Sequence, residues 1–165
     1  MRIENGTMQL NLQPEMIEDI FREAIHHLGR NKRKHNISMH LEDDLLMANM
    51  DARLIIQVLV NLINNAIKYT HENSNISLNA RRVEDKILIE VQDDGNGVLH
   101  PDQLFEMFYT ENNRGGDTRR GMGLGLSLCK SIIQSHGGTI WVENVTPHGA
   151  CFKFVLDAVE VKLYE

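Results

Sequence analysis

The chain has 165 residues, of which 42% are hydrophobic and 24% are charged. This length and composition predict one globular domain with its own hydrophobic core, and they exclude disordered and fibrous classes of protein. The formal net charge of −6 argues against a general nucleic-acid binder, because such a protein carries a basic surface that neutralises phosphates. Small molecules and other proteins are the expected partners.

The two cysteines, Cys129 and Cys151, show neither the spacing of a zinc site nor a disulfide framework. We interpret them as reduced core thiols of a cytosolic protein. The longest apolar stretch, residues 54–63, is interrupted by Gln57 and Asn61 and is far too short to cross a bilayer. No signal peptide is recognisable, so the sequence predicts a soluble piece of polypeptide without membrane contact.

The first part of the chain predicts a linker followed by a helix. Residues 1–13 are polar and lack a clear period, which is typical of a linker or of the remnant of a preceding helix, so the folded domain is expected over residues 14–165. Pro14 stands where a first helical turn tolerates proline. The apolar residues from Ile17 to Leu28 then recur at helical spacing, which indicates an amphipathic helix on a core.

The remaining elements are two further helices and several strands. One helix is expected over residues 51–69 with Asp51 as its N-cap, and another over residues 124–136 with Gly137 as the left-handed residue that ends it. Alternating apolar residues predict strands in the rest of the chain. The predicted strands cover residues 37–41, 46–50, 76–80, 87–91, 139–143 and 150–156, with a hairpin turn at residues 83–86.

Two segments lie between the hairpin and the last helix. Residues 101–108 predict a short helix, and residues 109–120 are polar, contain glycine and predict an unstructured loop. Six strands and three substantial helices in mixed order predict a two-layer α/β sandwich, in which three main helices cover one face of a mixed sheet.

The helix over residues 51–69 carries a polar stripe. A rotation of about 100° per residue places Asn61, Asn65 and Lys68 on one side of this otherwise apolar helix. A buried helix must give such groups hydrogen-bond partners, and a metal and phosphate oxygens would supply them. Magnesium prefers hard oxygen ligands, so Asn65 is the expected metal ligand and Lys68 is expected to meet phosphate. The alternative is a stripe bonded only to neighbouring backbone.

A second motif, Asp-Asp-Gly-Asn-Gly at residues 93–97, follows an apolar strand. The carboxylate of Asp93 could accept a hydrogen bond from the exocyclic amine of adenine, whereas guanine presents a carbonyl oxygen at that position. Gly95 and Gly97 lack a Cβ atom and would let a flat ring approach the backbone. A plain turn between two elements is the alternative.

The third motif opens the last helix. Gly121, Gly123 and Gly125 alternate with apolar residues there, and exposed backbone N–H groups at the positive end of a helix favour a triphosphate. The motif is no P-loop, because Met122 occupies the position that requires lysine. It also departs from the dinucleotide-binding G-x-G-x-x-G pattern after Gly125.

Taken together, the three motifs resemble the ATP-binding catalytic domain of sensor histidine kinases, in the GHKL superfamily that includes gyrase, the Hsp90 chaperones and MutL. The resemblance covers roughly residues 14–156 and implies the Bergerat fold. Residues 51–55 and 149–152 further resemble the potassium-responsive, osmosensing branch of these kinases. The matching segments are residues 61–70 (N box), 93–97 (G1 box), 104–109 (F box), 121–126 (G2 box) and 136–140.

The resemblance implies a role for each motif residue. Asn65 would hold magnesium, Asn61 would lie close to the metal and the phosphates, and Lys68 would bind phosphate, which makes Asn61 and Lys68 the catalytic candidates. Asp93 would hold the adenine amine, and residues 109–120 would form a lid over ATP. The other nucleotide-binding candidates are Tyr69, Gly95, Gly97, Phe105, Tyr109, Gly121, Gly123, Leu124, Gly125 and Leu126.

Asn61 discriminates between activities within the superfamily. Gyrase-type, chaperone and MutL ATPases place a glutamate at this position, where a carboxylate serves as a base or orients water. An amide is a poor base. Asn61 therefore favours transfer of the γ-phosphoryl group to a protein nucleophile, with catalysis by positioning and charge neutralisation.

Two features depart from the family's pattern. The F box often continues with arginine, but here Thr110 follows Tyr109, and Arg114, Arg119 and Arg120 are the candidates to replace that arginine. The phosphoaccepting histidine of the dimerisation helix is absent. The resemblance thus implies a catalytic fragment that acts on a separate dimerisation domain of the same kinase.

The resemblance also implies the setting of this fragment. The full-length kinase would be a membrane-associated bacterial homodimer with a response regulator downstream, and the fragment would be its cytoplasmic, monomeric ATP-binding part. Two alternatives stay open. One is a nucleotide-binding regulatory module without transfer activity, which Thr110 motivates, and the other is a self-contained ATPase of the gyrase type.

Overall fold

The structure, a computed structural model, describes residues 3–4, 7–29, 34–106 and 124–159. Three helices separate groups of two or three strands within these ranges. In chain order the elements are β1 (Ile3–Glu4), β2 (Thr7–Met8), β3 (Gln13–Met16), α1 (Ile17–His27), β4 (Asn36–Leu41), β5 (Met47–Met50), α2 (Ala52–Lys68), β6 (Asn75–Val83), β7 (Lys86–Asp93), α3 (Leu124–Ser135), β8 (Ile140–Asn144) and β9 (Ala150–Asp157).

Five of the strands form one mixed sheet in the order β4-β6-β7-β9-β8. β4 runs parallel to β6, whereas β6 with β7, β7 with β9 and β9 with β8 are antiparallel pairs. β5 pairs instead with β3, and β1 pairs with β2, in two small sheets of two strands each. This architecture confirms the predicted α/β sandwich with a mixed sheet.

The helices pack against one another, and α2 and α3 also pack on the five-stranded sheet. α2 lies between α1 and α3 and contacts β6 and β7, while α3 contacts β8 and β9. The helices have 11, 17 and 12 residues. Within the described ranges, no helix combines the length and the apolar character needed to span a membrane.

The hydrophobic core lies between the sheet and α2. Alternate side chains of β6, β7 and β9 face this core, as expected for strands with one buried face. From the other side, α2 buries Ile55, Leu59, Leu62 and Ile63 completely. Each such side chain contributes about 1.5–3 kcal/mol of hydrophobic stabilisation. α2 is therefore held firmly, which fixes the backbone positions of its polar residues.

The predicted hairpin and the predicted second helix are confirmed. β6 and β7 are joined by the two-residue turn Glu84-Asp85, in which Glu84 adopts a positive φ of 58°, as tight hairpin turns favour. α2 begins one residue after Asp51 and ends at Lys68. The side chain of Asp51 does not cap the helix, however, because its Oδ2 accepts a hydrogen bond from the backbone N–H of Asn11 at 3.1 Å.

The end of α3 also agrees with the sequence prediction. Gly137 adopts a φ of 77°. Its N–H donates to the carbonyl oxygen of Gln134 at 2.9 Å, and the N–H of Gly138 donates to the carbonyl oxygen of Ile133 at 3.0 Å. These two bonds form the Schellman motif, for which glycine is the preferred residue.

Two expectations about helices are wrong. The first helix begins at Ile17, and Pro14 lies in β3 opposite Asn49. Because β3 has only one neighbouring strand among the described elements, the missing N–H of proline is tolerated there. Residues 101–106 form turns rather than the start of a helix. The rest of that predicted helix and the predicted lid, residues 107–120, lie outside the described residues.

Part of the segment expected to be a linker is attached to the domain. β1 pairs with β2, and Leu10 packs against the hydrophobic core. The bond from Asn11 to Asp51 ties the same segment to the start of α2.

Candidate functional site

α2 contacts both of the other motif regions. Near its middle, Nδ2 of Asn61 donates a hydrogen bond to Sγ of Cys129 on α3 at 3.7 Å. At its C-terminal end, Gly95 lies so close that an added Cβ atom would be 3.0 Å from a methyl carbon of Thr70 and 3.2 Å from the carbonyl oxygen of Tyr69. The polar stripe of α2 therefore lies between α3 and the loop that follows β7.

Asp93, at the end of β7, is a buried carboxyl group with 7% of its surface exposed. Its Oδ1 accepts hydrogen bonds from the N–H groups of Gly95 at 2.9 Å and Ala150 at 3.2 Å. Burial raises the pKa of Asp93 above its ordinary value, and these two N–H groups oppose that shift. Among the described residues Oδ2 accepts no hydrogen bond, so this oxygen is available to a donor such as an exocyclic amine.

The loop after β7 is held from several sides. The carboxylate of Asp94 accepts hydrogen bonds from the backbone and the side chain of Asn75 at 3.2–3.3 Å. The Asp94 carbonyl oxygen lies 2.8 Å from Nδ1 of His148. The side chain of Asn144 accepts from the N–H of Val98 at 2.7 Å and donates to its carbonyl oxygen at 3.0 Å. These bonds fix the backbone next to Asp93.

The glycines in and beside this loop lie very close to neighbouring atoms. Gly97 has a φ of 83°, and a Cβ atom there would lie 2.6 Å from Oδ1 of Asn144. A Cβ atom on Gly95 would be 3.2 Å from Oδ1 of Asp93. Gly149, on the neighbouring segment, has a φ of 121° and would place a Cβ atom 2.2 Å from the carbonyl oxygen of Asp93. Glycine is thus needed at Gly97 and Gly149 even before any ligand is considered, whereas a Cβ atom on Gly95 would be in tight contact with its neighbours.

The polar stripe of α2 is only partly satisfied by the protein. Asn61 bonds the thiol of Cys129, which excludes the alternative that the stripe bonds only to neighbouring backbone. Asn65 is half-buried, and among the described residues its side-chain amide has no hydrogen-bond partner. Lys68 is exposed, and its Nζ lies 5.2 Å from the ring centroid of Tyr69, which is itself 40% exposed.

The side chains at this site suit a magnesium ion that arrives with a nucleotide better than a metal ion held by protein ligands alone. In the parts of the chain that the structure describes, no group of three or more His, Cys, Asp or Glu side chains could hold a metal ion. Magnesium that arrives with a nucleotide needs only one or two protein oxygens. The amide oxygen of Asn65, which has no partner among the described residues, is an oxygen of this kind.

The F-box candidate Phe105 lies in the core. Its side chain is 8% exposed, and its ring packs edge-on against Phe152 with the ring centroids 6.0 Å apart and an interplanar angle of 81°. Leu104 is buried beside it. Tyr109, the other F-box candidate, lies outside the described residues.

The G2 candidates are described only in part. α3 begins at Leu124, so the last residues of the motif form its first turn. Among the described residues, a Cβ atom on Gly125 would meet nothing within 4 Å. Leu126 is partly buried against the core. Gly121 and Gly123 lie outside the described residues.

Sequence reasoning missed the contacts that Cys129, Asn144 and Gly149 make at this site. Cys129 and Cys151 are both buried free thiols, as predicted, but the contact of Cys129 with Asn61 has no signal in the sequence. The hydrogen bonds of Asn144 with Val98 and the close approach of Gly149 to Asp93 both join residues that are far apart in the chain. The one available signal is Gly149 just before β9, because glycine beside a strand often marks a close backbone approach.

Residues 50–160 match the protein family described as histidine kinase-, DNA gyrase B- and HSP90-like ATPase. The chain belongs to this family. The match contains α2, the loop after β7 and α3, so all of the site described above lies within it. Nucleotide use follows from membership of this ATPase family.

Curated relatives of this ATPase domain are sensor proteins. Sensor protein KdpD of Clostridium acetobutylicum is 33% identical over 155 residues, which cover 93% of the chain and 17% of KdpD. The adaptive-response sensory kinase SasA of Gloeothece citriformis is 33% identical over 157 residues, which cover 92% of the chain and 39% of SasA. The chain therefore spans well under half of these relatives. The similarity to KdpD fits the potassium-responsive branch.

Solved structures with the same ATPase-family fold are histidine kinases. The catalytic domain of histidine kinase ThkA is 27% identical with a TM-score of 0.77, and the match covers 90% of the chain and 97% of that domain. Full-length ShkA in complex with AMPPNP is 25% identical with a TM-score of 0.78, covering 95% of the chain and 33% of ShkA. These similarities confirm the ATP-binding catalytic domain of the sensor histidine kinase type.

Proposed function

We propose that this domain binds Mg-ATP between α2, the loop at residues 93–97 and the start of α3, and transfers the γ-phosphoryl group to a histidine. The observation that carries the proposal is the arrangement of α2, a buried helix whose polar stripe contacts α3 at Asn61 and whose end contacts the loop of Asp93. The catalytic domain comprises residues 14–165, and residues 1–13 connect it to the rest of the kinase.

Asp93 selects adenine in this proposal. Its Oδ1 is engaged by two backbone N–H groups, which fixes the carboxyl plane, and its Oδ2 remains to accept the exocyclic amine of the base. Gly95 and Gly97 line the base. Tyr69, which lies next to the same loop, packs its exposed ring against the base.

The α2 stripe and the start of α3 hold the phosphates. Asn65 is the magnesium ligand, Asn61 lies beside the metal and the phosphates, and Lys68 supplies a positive charge to them. When bound, magnesium neutralises charge on the phosphate oxygens. The remaining proposed contacts are Phe105, Tyr109, Gly121, Gly123, Leu124, Gly125 and Leu126, of which Phe105 supports the site from the core.

The chemistry of Asn61 favours transfer over hydrolysis. In the transfer step a neutral imidazole nitrogen forms the N–P bond while the bond from the γ-phosphorus to the bridging oxygen breaks, and ADP leaves with that electron pair. No base is needed to activate a neutral imidazole. An amide at position 61 binds and orients charge without activating water, which suits this step.

The partners follow from the kinase setting. The acceptor histidine lies on a separate dimerisation domain of the same full-length kinase, which is a homodimer, whereas the 165-residue chain alone is a monomer. ThkA, 27% identical, has been crystallised in complex with response regulator protein TrrA. We propose a response regulator downstream of this chain too, no nucleic-acid partner, and a position on the cytoplasmic side of a membrane-associated bacterial kinase.

The proposal is tested by phosphotransfer between separate proteins. The chain is mixed with the dimerisation domain of its parent kinase and with radiolabelled Mg-ATP, and acid-labile label on the acceptor histidine is measured. We expect labelling that requires magnesium and that Asn61→Ala abolishes. Nucleotide binding without labelling would favour the regulatory module, and rapid phosphate release by the chain alone would favour a gyrase-type ATPase.

A further inference from the structure

Side-chain contacts join α2 and α3 near the start and near the middle of α2. The N–H of Asp51, at the start of α2, donates to Nε2 of His136 at 3.0 Å, and Nδ1 of His136 lies 2.7 Å from the carbonyl oxygen of Ile132. Nearer the predicted phosphate side, Nδ2 of Asn61 donates to Sγ of Cys129. The end of α3 therefore lies beside the start of α2, and the middle of each helix contacts the other at Asn61.

The thiol of Cys129 is well suited to hold the amide of Asn61. Cys129 is completely buried, and burial raises its pKa to about 12, so the group stays protonated and uncharged near neutral pH. Its Sγ lies 3.9 Å from the carbonyl oxygen of Val58 and donates its S–H to that oxygen. With the proton directed there, a sulfur lone pair remains for Nδ2 of Asn61.

This contact determines which atom of the Asn61 amide is free. Because Nδ2 is engaged by the sulfur, the two ends of the amide are no longer equivalent. Among the described residues Oδ1 of Asn61 accepts no hydrogen bond, so the oxygen remains for a ligand. Asn65 and Lys68 project from the same side of α2, within roughly 60° of Asn61 about the helix axis.

We propose that Cys129 is a positioning residue for phosphoryl transfer. Its sulfur fixes the rotamer and the orientation of the Asn61 amide, so that Oδ1 rather than Nδ2 is presented to the metal and the phosphates. Cys129 touches no substrate and acts only through Asn61. The inference rests on the proposed function and adds a residue from α3 that the phosphate motifs do not contain.

The variants separate positioning from packing. Cys129→Ala removes the sulfur and leaves a small void, whereas Cys129→Ser keeps a group that donates to Val58 and accepts from Asn61. The matched control is Cys151→Ala, which removes another buried thiol whose Sγ lies 3.5 Å from Glu90 on the outer face of the sheet.

The first readout is the kinetics of transfer by the chain to the separate dimerisation domain. We expect Cys129→Ala to lower kcat about tenfold while the KM for Mg-ATP stays within about twofold, because a loosened Asn61 weakens an interaction of the transition state. Cys129→Ser restores most of kcat, and Cys151→Ala transfers like wild type. A loss in Cys129→Ala that serine does not rescue would overturn the proposal, as would a wild-type kcat in Cys129→Ala.

The second readout does not depend on catalysis. The side-chain NH2 signals of Asn61, assigned by their absence in Asn61→Asp, are recorded by nuclear magnetic resonance without nucleotide. The proposal predicts that they shift in Cys129→Ala, return towards wild type in Cys129→Ser and stay unchanged in Cys151→Ala. Unchanged signals in Cys129→Ala would contradict the contact itself. If the wild-type chain failed to transfer phosphate, the proposed function would fail, and these signals would still decide whether Cys129 orients Asn61.

Discussion

A Cβ atom on Gly149 would lie 2.2 Å from the carbonyl oxygen of Asp93, closer than side chains approach a backbone oxygen. The next residue, Ala150, donates its N–H to Oδ1 of Asp93. The tight approach at Gly149 and the bond from Ala150 thus act together, because the first brings the β9 backbone close enough to form the second.

The first prediction concerns this close approach. Gly149→Ala should lower the free energy of unfolding by about 2–3 kcal/mol, because both the backbone clash and the φ of 121° oppose a side chain. Gly137→Ala is the matched control: its φ of 77° is strained, but its Cβ atom would meet nothing within 4 Å in the part of the chain that the structure describes. Urea denaturation should show a loss of only about 1 kcal/mol for the control. Equal losses would show that the contact with Asp93 does not matter.

The second prediction separates the two roles of Asp93. Asp93→Asn keeps one oxygen for the N–H groups of Gly95 and Ala150 but places an NH2 group where the adenine amine is expected, so ATP affinity should fall at least about tenfold with little loss of stability. Asp93→Ala leaves both buried N–H groups unpaired and should cost about 1–3 kcal/mol more. Calorimetric titration and urea denaturation measure the two effects, and a stable Asp93→Asn with wild-type ATP affinity would refute the base contact.

The third prediction concerns the hydrogen bonds that hold the loop after β7 to Asn144. Asn144→Ala removes two hydrogen bonds to the backbone of Val98 and should lower both stability, by about 1–2 kcal/mol, and ATP affinity. Asn79→Ala serves as a control, since the side chain of Asn79 bonds only the hydroxyl of Ser77 among the described residues. If both variants bound ATP equally well, the hydrogen bonds of Asn144 with Val98 would not contribute to ATP binding.

The fourth prediction follows from the two buried thiols. Burial raises the pKa of Cys129 and of Cys151 from 9.0 to about 12. Between these values the unfolded chain has lost protons that the folded chain still holds, so the free energy of unfolding should decline as the pH rises from 9.0 towards 12. Urea denaturation across this range should show that decline, and replacing both cysteines by serine should reduce it.

The same burial makes the thiols unreactive. At about pH 8 the folded chain should react slowly with a thiol reagent, and both thiols should react at once in denaturant. Rapid labelling of either cysteine in the folded chain would contradict their positions in the structure.

Much of the fold could be predicted because its signals are local. The apolar pattern of residues 51–69 fixed α2 to within one residue at each end, and Gly137 marked the end of α3. Pro14 misled because a proline suits both a first helical turn and an edge strand, and only the pairing with Asn49 decides between them. Local sequence does not contain that pairing.

The site could be predicted only as far as its motifs. Asp93 and the stripe of α2 were recognisable by chemistry and spacing, yet their supports come from distant segments. Cys129, Asn144 and Gly149 act through contacts across 46 to 68 positions of the chain, which no local pattern encodes. The approach of Gly149 to Asp93 likewise exists only once β7 and β9 pair.

The central claim is that one face of α2 binds the phosphates through magnesium, while Asp93 accepts a hydrogen bond from adenine. Calorimetric titration of ATP and GTP into wild type and Asn65→Ala, with and without magnesium, tests it most directly. The account predicts that wild type prefers ATP over GTP, that magnesium strengthens ATP binding about tenfold or more, and that Asn65→Ala keeps the preference for ATP but loses the magnesium effect. An equal magnesium effect in both proteins, or no preference for ATP in wild type, would contradict it.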